Sequence, residues 1–381
     1  MTFATGAGSI VIAGTLSSGR VCAVEIRSSR PVGIARMFRG RPIEEVPILA
    51  ERLFTLCGFA HAVAARLAID AALSRRPSPA MRFAHSVGLI AERIAETLRS
   101  CVLGWPLPQA DHKRLAEAIV PLREAMAAAR ELTAAARAGL GVGVGAGPGP
   151  GRGGLAPVVE RLAAAAGALG LAGPDGADLR PRSFLAKLAA DTSTETAFLR
   201  QAPDALTVAD DVAVAAALRS GGVDFAHLPA LPRRRIETGA YARRWRDMPA
   251  AASPLSARLQ ARLADVARGL TDLRGGLETG EIDDAELAHF GQLDGGAFAA
   301  VESPRGRLYH YLELEEDSRI GVYEMLAPTE WNLHPAGPLA AALLGTRVGT
   351  GEAARLRIAR LAALFDPCVS FRVDCKETAD A

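Results

Sequence analysis

Residues 302–335 read "ESPRGRLYHYLELEEDSRIGVYEMLAPTEWNLHP". Within them "RLYHYLELE" and "IGVYEML" alternate in the strand manner on either side of the polar turn "EDSR". That pattern predicts a β-hairpin, with strand character returning from residue 296. The hairpin leads into a loop between Pro328 and Pro335, which Trp331 and Asn332 are expected to fix.

Working outward, residues 9–36 also read as strands, joined by the hairpin signal Ser18-Gly19. From 44 to 72 the period becomes helical and puts Leu49, Leu53, Leu56, Cys57, Ala60, Ala64, Leu67 and Ala68 on one broad face. Gly58 can interrupt it, giving two shorter helices that meet near Cys57. A second helix, 80–103, ends before Gly104-Trp105-Pro106, and a third, 111–138, carries Pro121 and is expected to kink there. Ala-rich helical segments follow at 155–170 and 183–190, then a helix over 252–274 and a last one over 338–365. The fold class expected is α+β, mostly helical, with small β elements near each end.

Residues 139–157, "GLGVGVGAGPGPGRGGLAP", are almost all Gly, Pro, Ala and Val and read as a flexible loop. They lack the Gly-Lys-Ser/Thr ending and the preceding strand of a phosphate-binding loop. The expected organisation is therefore residues 1–138, this loop, and residues 158–381 packing with the first part as one large domain. The Arg-rich stretch 232–247, "PRRRIETGAYARRWRD", reads as a solvated loop with structural Arg pairs.

The 381 residues are 49% hydrophobic and 23% charged, so they can bury a sizeable core. A net charge of +2 gives no global attraction to nucleic acid or to a membrane surface. The start of the chain has no charged region before an apolar run, and no eighteen-residue apolar run occurs, so neither a signal peptide nor a membrane span is expected. Five scattered cysteines suit a reducing cytoplasm rather than a disulfide framework.

Four separated segments carry a resemblance: "GSIVIAG" through "LFTLCGFAH" near the start, "ETGAYAR" at 237–243, the stretch quoted first, and "DPC" at 366–368. In this order they resemble the large subunit of nickel–iron hydrogenases. The chain is more closely similar to the HupK family of hydrogenase expression and formation proteins, shortened relatives of that subunit. The resemblance implies a large-subunit-like fold in which Cys57 and Cys368 converge at the positions of terminal nickel ligands. It also implies that Pro304, Arg305 and Asp366 line the same pocket.

The departures matter as much. The second cysteine of each Cys-x-x-Cys pair is replaced, by Ala60 and by Phe371. These match the bridging positions, and neither side chain can donate a thiolate to two metals. Asp374 stands where the family has its last His, Ala7 where it has an acidic residue, and Ser100-Cys101 where it has Ser-His. The expectation is no catalysis and no nickel. The function implied is a scaffold or chaperone that transiently holds an iron–cyanide–carbonyl unit for transfer to the hydrogenase large subunit, with a HypC-like maturation chaperone as partner. The alternative is a metal-free protein that mimics the immature large subunit. Cys57 and Cys368 are the expected metal ligands, with Cys375 as a third.

The bland alternatives are specific. Cys22 and Cys101 read as packing residues, Cys375 as exposed near a frayed end, and His61 as a satisfied polar residue. Arg305 reads as one half of a buried ion pair with Asp366 or Glu302.

Overall fold

A computed structural model describes residues 8–107, 112–137, 152–199, 201–248 and 253–378. The first half runs β1 (Ser9–Ser17), β2 (Arg20–Ser28), α1 (Val46–Leu53), α2 (Gly58–Ala72), α3 (Pro79–Leu103), α4 (His112–Arg137), α5 (Arg152–Leu169) and α6 (Phe184–Ser193). Then come β3 (Asp204–Ala205), α7 (Asp211–His227), β4 (Ile236–Glu237), α8 (Ala240–Arg244) and α9 (Pro254–Thr279). The last part is β5 (Ala288–Leu293), β6 (Gly296–Ser303), β7 (Gly306–Leu314), β8 (Ile320–Leu326), α10 (Pro328–Asn332), α11 (Pro338–Leu343), α12 (Gly351–Leu364) and β9 (Ser370–Thr378). The architecture is α+β and largely helical, as the sequence predicted.

The strands near the two ends belong to one sheet, of order β2-β1-β9. β1 and β2 pair antiparallel across Ser18 and Gly19, whose φ values of 46° and 74° are what a tight hairpin turn requires. β9 pairs parallel to β1, with Ser9 opposite Ser370 and Gly14 opposite Cys375. Strict alternation along β1 sends Ile10, Ile12 and Leu16 into the core. This closure fixes where Cys368, just before β9, must lie.

The hairpin read from "RLYHYLELE" is the last part of a four-stranded antiparallel meander, β5-β6-β7-β8. Pro304 and Arg305 form the turn between β6 and β7, because Ser303 pairs with Gly306. Two motifs quoted separately above explain each other here. A Cβ on Gly306 would lie 2.5 Å from Thr238 Oγ1, and one on Gly239 would lie 2.8 Å from the Arg305 carbonyl. Both glycines have positive φ, 129° and 102°, so the two turns can press together only without side chains. Asn332 then clamps the junction: its Oδ1 accepts from the Thr238 amide and its Nδ2 donates to the Thr238 carbonyl, each at 3.0 Å. Asn332 therefore fixes the 238 turn as well as its own loop.

Three details differ from the sequence reading. α5 already begins at Arg152, so 152–157 of the expected loop are helical; burial of Leu155, Val158 and Val159 overrides the local Gly and Pro. Residues 139–151, like Ala7, lie outside the described residues. The last helix is two, α11 and α12, because the intervening loop docks on the first hairpin: the Val348 amide donates to the Gly19 carbonyl and Val21 to the Thr346 carbonyl, both at 2.9 Å. Finally, Cys375 sits within a paired strand rather than at a frayed end.

The Arg-rich stretch carries the expected structural Arg pairs, Arg243 with Asp265 at 2.8 Å and with Glu302, and Arg234 with Asp204 at 2.7 Å. It is not a solvated loop, however: it contains β4 and α8, and Ile236, Glu237, Thr238, Tyr241 and Ala242 are buried. Among the described residues no helix is long and apolar enough to cross a membrane.

Candidate metal centre

Cys57 is the residue on which α2 starts, and it makes no cap hydrogen bond of its own. The orphan amides of that helix end are met from α3 instead. Phe59 and Ala60 donate to the two carboxylate oxygens of Glu92 at 2.8 and 3.0 Å. The Cys57 thiol is thus not spent on the helix. Cys368 arrives from the opposite side, after α12 ends and Asp366 turns the chain at φ 53°. Thr329 of α10 lies 3.4 Å from the Cys368 sulfur through its hydroxyl.

These segments come within electrostatic reach of one another. The Cys57 thiol feels Arg305, Glu92, Cys368 and Glu96, while Arg305 feels Asp366, Glu96, Cys368 and Cys57. The two cysteines from opposite ends of the chain, both half-buried, therefore share one electrostatic site with Arg305 and Asp366. Pro304 contributes by setting the turn from which Arg305 projects.

Arg305 is almost wholly buried. Its Nη2 lies 3.4 Å from Glu96, and its Nε stays 3.7 Å from Asp366, beyond a hydrogen bond. Nε and Nη1 have no hydrogen-bond partner among the described residues. A buried guanidinium with unspent donors is costly unless something accepts from it. Burial works against the Arg305 charge, but Asp366, Glu96 and the thiols outweigh it and hold the group protonated. Burial likewise raises Asp366, yet Arg305 and Arg262 prevail and keep its carboxylate below the usual range. Ser100, noted in the sequence for its unusual neighbour, donates to Asp366 at 2.5 Å.

Burial pushes the Cys57 thiol well above its ordinary value; Arg305 opposes this, and Glu92 and Cys368 add to it. Cys57 is consequently a neutral thiol near neutral pH, and a metal must displace its proton. Burial also pushes Glu92 up to about 7, against the two amides that favour its charge.

Other expectations resolve as follows. Cys375 is not brought to the site: it packs on the core through β9, and the groups acting on it are Arg355, Asp374, Glu352 and Glu377. The parallel pairing with β1 carries it away along the strand, which corrects its reading as a third ligand. Cys101 is a packing residue, but Cys22 is exposed, with its thiol 3.2 Å from the Thr15 carbonyl. His61 is a satisfied core histidine, 2.9 Å from His310 and stacked on Phe54; His310 in turn meets Tyr323 at 2.7 Å. Arg305 has Asp366 and Glu96 beside it, not Glu302, which Arg243 and Arg307 hold.

Sequence reasoning missed Arg30, Glu92, Glu96 and Glu330. Glu92 and Glu96 are one turn apart on an otherwise apolar face of "SVGLIAERIAETL", a signal that could have been read as buried acids with a task. Nothing in the sequence marks Arg30, which the structure pairs with Glu330 beside the two thiols.

Among the described residues no group of three or more His, Cys, Asp or Glu could hold a metal ion. The donor set is two soft sulfurs with unspent guanidinium N–H groups beside them. That fits a metal fragment that brings ligands of its own, with acceptor atoms for Arg305.

Residues 258–374 match the family model described as nickel-dependent hydrogenase. The chain is 45% identical to the hydrogenase expression/formation protein HupK of Rhizobium leguminosarum bv. viciae, with all of both chains covered. It is 33% identical to the hydrogenase expression/formation protein HoxV of Cupriavidus necator over 93% of each. The fold matches the nickel–iron–selenium hydrogenase of Desulfovibrio vulgaris Hildenborough with a TM-score of 0.63, covering 95% of this chain and 98% of that one. At 14% identity that likeness is one of fold, and the fold is large-subunit-like. The full-length agreement at 45% identity decides the family: the chain belongs to the HupK family of hydrogenase expression/formation proteins.

Proposed function

We propose that the protein serves hydrogenase maturation as a non-catalytic scaffold. It takes an iron–cyanide–carbonyl unit as cargo, holds it between Cys57 and Cys368, and passes it to a hydrogenase large subunit. One observation supports this reading: two thiols from opposite ends of the chain act electrostatically on one buried arginine whose Nε and Nη1 donors are unspent. Thiolates suit the iron, and the free N–H groups suit cyanide nitrogens. Ala60 and Phe371 offer no bridging sulfur, so a second metal finds no purchase and the first is held by few bonds. Weak retention is what a carrier requires. A HypC-like chaperone is the donor this reading calls for, in the cytoplasm where thiols stay reduced.

The test is anaerobic purification from cells that hold the maturation machinery, followed by infrared spectroscopy. Cyanide and carbonyl stretches are expected in the wild type and absent in Cys57→Ala/Cys368→Ala. No bands in the wild type would overturn cargo binding. It would favour a metal-free mimic of the immature large subunit, a second reading supported by the lack of a third ligand among the described residues.

A further inference from the structure

We infer that Arg30 makes this two-thiol site selective: it shuts out bare divalent cations and admits only a metal that arrives with its own ligands. The inference rests on the carrier reading above and names a residue that reading does not use.

Arg30 follows β2 and reaches the pocket from a different segment than Arg305. It forms a close ion pair with Glu330, both side chains being largely buried. It also feels Cys368 and Cys57 favourably and Arg305 unfavourably, so two guanidinium groups bear on one pair of sulfurs. A bare divalent ion such as zinc or cobalt needs about four donors. Two sulfurs supply half of these. The carboxylates around the site are engaged elsewhere: Glu330 by Arg30, Asp366 by Ser100 and Arg262, Glu96 by Arg99, and Glu92 by two amides. Arg30 thus acts twice. Its charge opposes an added cation, and its ion pair withholds the carboxylate of Glu330, the residue after Thr329, whose hydroxyl lies 3.4 Å from the Cys368 sulfur. An iron that already carries cyanide and carbonyl needs only the two sulfurs and loses nothing to this arrangement. In a cell rich in exchangeable metal ions, such exclusion keeps the thiols open for their cargo.

The test uses cobalt(II) as the probe on the reduced, full-length protein, reading thiolate-to-cobalt absorption. Wild type and Arg30→Lys, which keeps the charge, are expected to give little absorption in excess cobalt. Arg30→Gln is expected to bind cobalt at least about tenfold more tightly, because a like charge beside the site no longer opposes the ion. The gained signal should vanish in Arg30→Gln/Cys57→Ser. Equal binding by wild type and Arg30→Gln, or a signal that survives loss of Cys57, overturns the inference. Matching thermal melts check that the variants fold. No iron unit is involved, so this result and the infrared result stand or fall separately.

Discussion

Gly88→Ala probes how the first thiol is held in place. Gly88 lies in α3 against α2, and a Cβ there would sit 2.2 and 2.3 Å from Phe59 Cε1 and Cζ. Ordinary contact begins at 3.4 Å, so the ring must move by about 1.2 Å, the difference between 3.4 and 2.2. Phe59 is 2% exposed and packs in the hydrophobic core. Overpacking of this kind costs roughly 1–3 kcal/mol. Alanine's helix preference over glycine returns about 1 kcal/mol. The net expectation is a loss of up to roughly 2 kcal/mol. Because the Phe59 amide is one of the two that Glu92 holds, the start of α2, with Cys57, shifts too. The assay is urea unfolding of four proteins: wild type, Gly88→Ala, Phe59→Leu and the double variant. Without the ring the clash disappears and only the helix preference remains. Gly88→Ala should then stabilise Phe59→Leu by up to about 1 kcal/mol. The same sign of effect in both backgrounds would refute the reasoning.

Two further predictions concern the site's neighbours. Glu92 titrates near 7 when folded, against a usual carboxylate value of 4.5. Its folded value is raised, so its contribution is fully present below 4.5 and is lost as pH rises through 7. At 1.36 kcal/mol per pH unit the loss is about 3 kcal/mol. Glu92→Gln removes that dependence and should gain on the wild type by about this amount between pH 4.5 and 8; unfolding curves that shift in parallel across this range would contradict the assignment. Cys375→Ser should leave the infrared bands of the loaded protein in place, whereas Cys368→Ser should remove them. Loss of the bands in Cys375→Ser would restore Cys375 as a ligand.

Local order was written plainly in the chain. The hairpin at Ser18-Gly19, the break at Cys57-Gly58 and the strands on either side of "EDSR" follow from turn chemistry and periodicity, which act between neighbours. The Arg pairs of the Arg-rich stretch also followed, since a near-neutral chain has no spare charge for a surface patch, but its burial around β4 and α8 did not. The missing bridging sulfurs at Ala60 and Phe371 were visible too, because a side chain's donor chemistry needs no coordinates.

The tertiary structure decided everything that depends on non-neighbours meeting. β9 is too weakly patterned to announce a parallel partner at the other end of the chain, yet that pairing places Cys375 opposite Gly14 and leaves Cys368 just before the strand, where its charge is felt at Cys57. Packing of the loop at 344–350 onto the first hairpin broke a helix that local pattern had joined. Arg30, Glu92 and Glu330 became part of the site only through their partners. A buried charge is defined by what surrounds it, and sequence alone lists the charge without the surroundings.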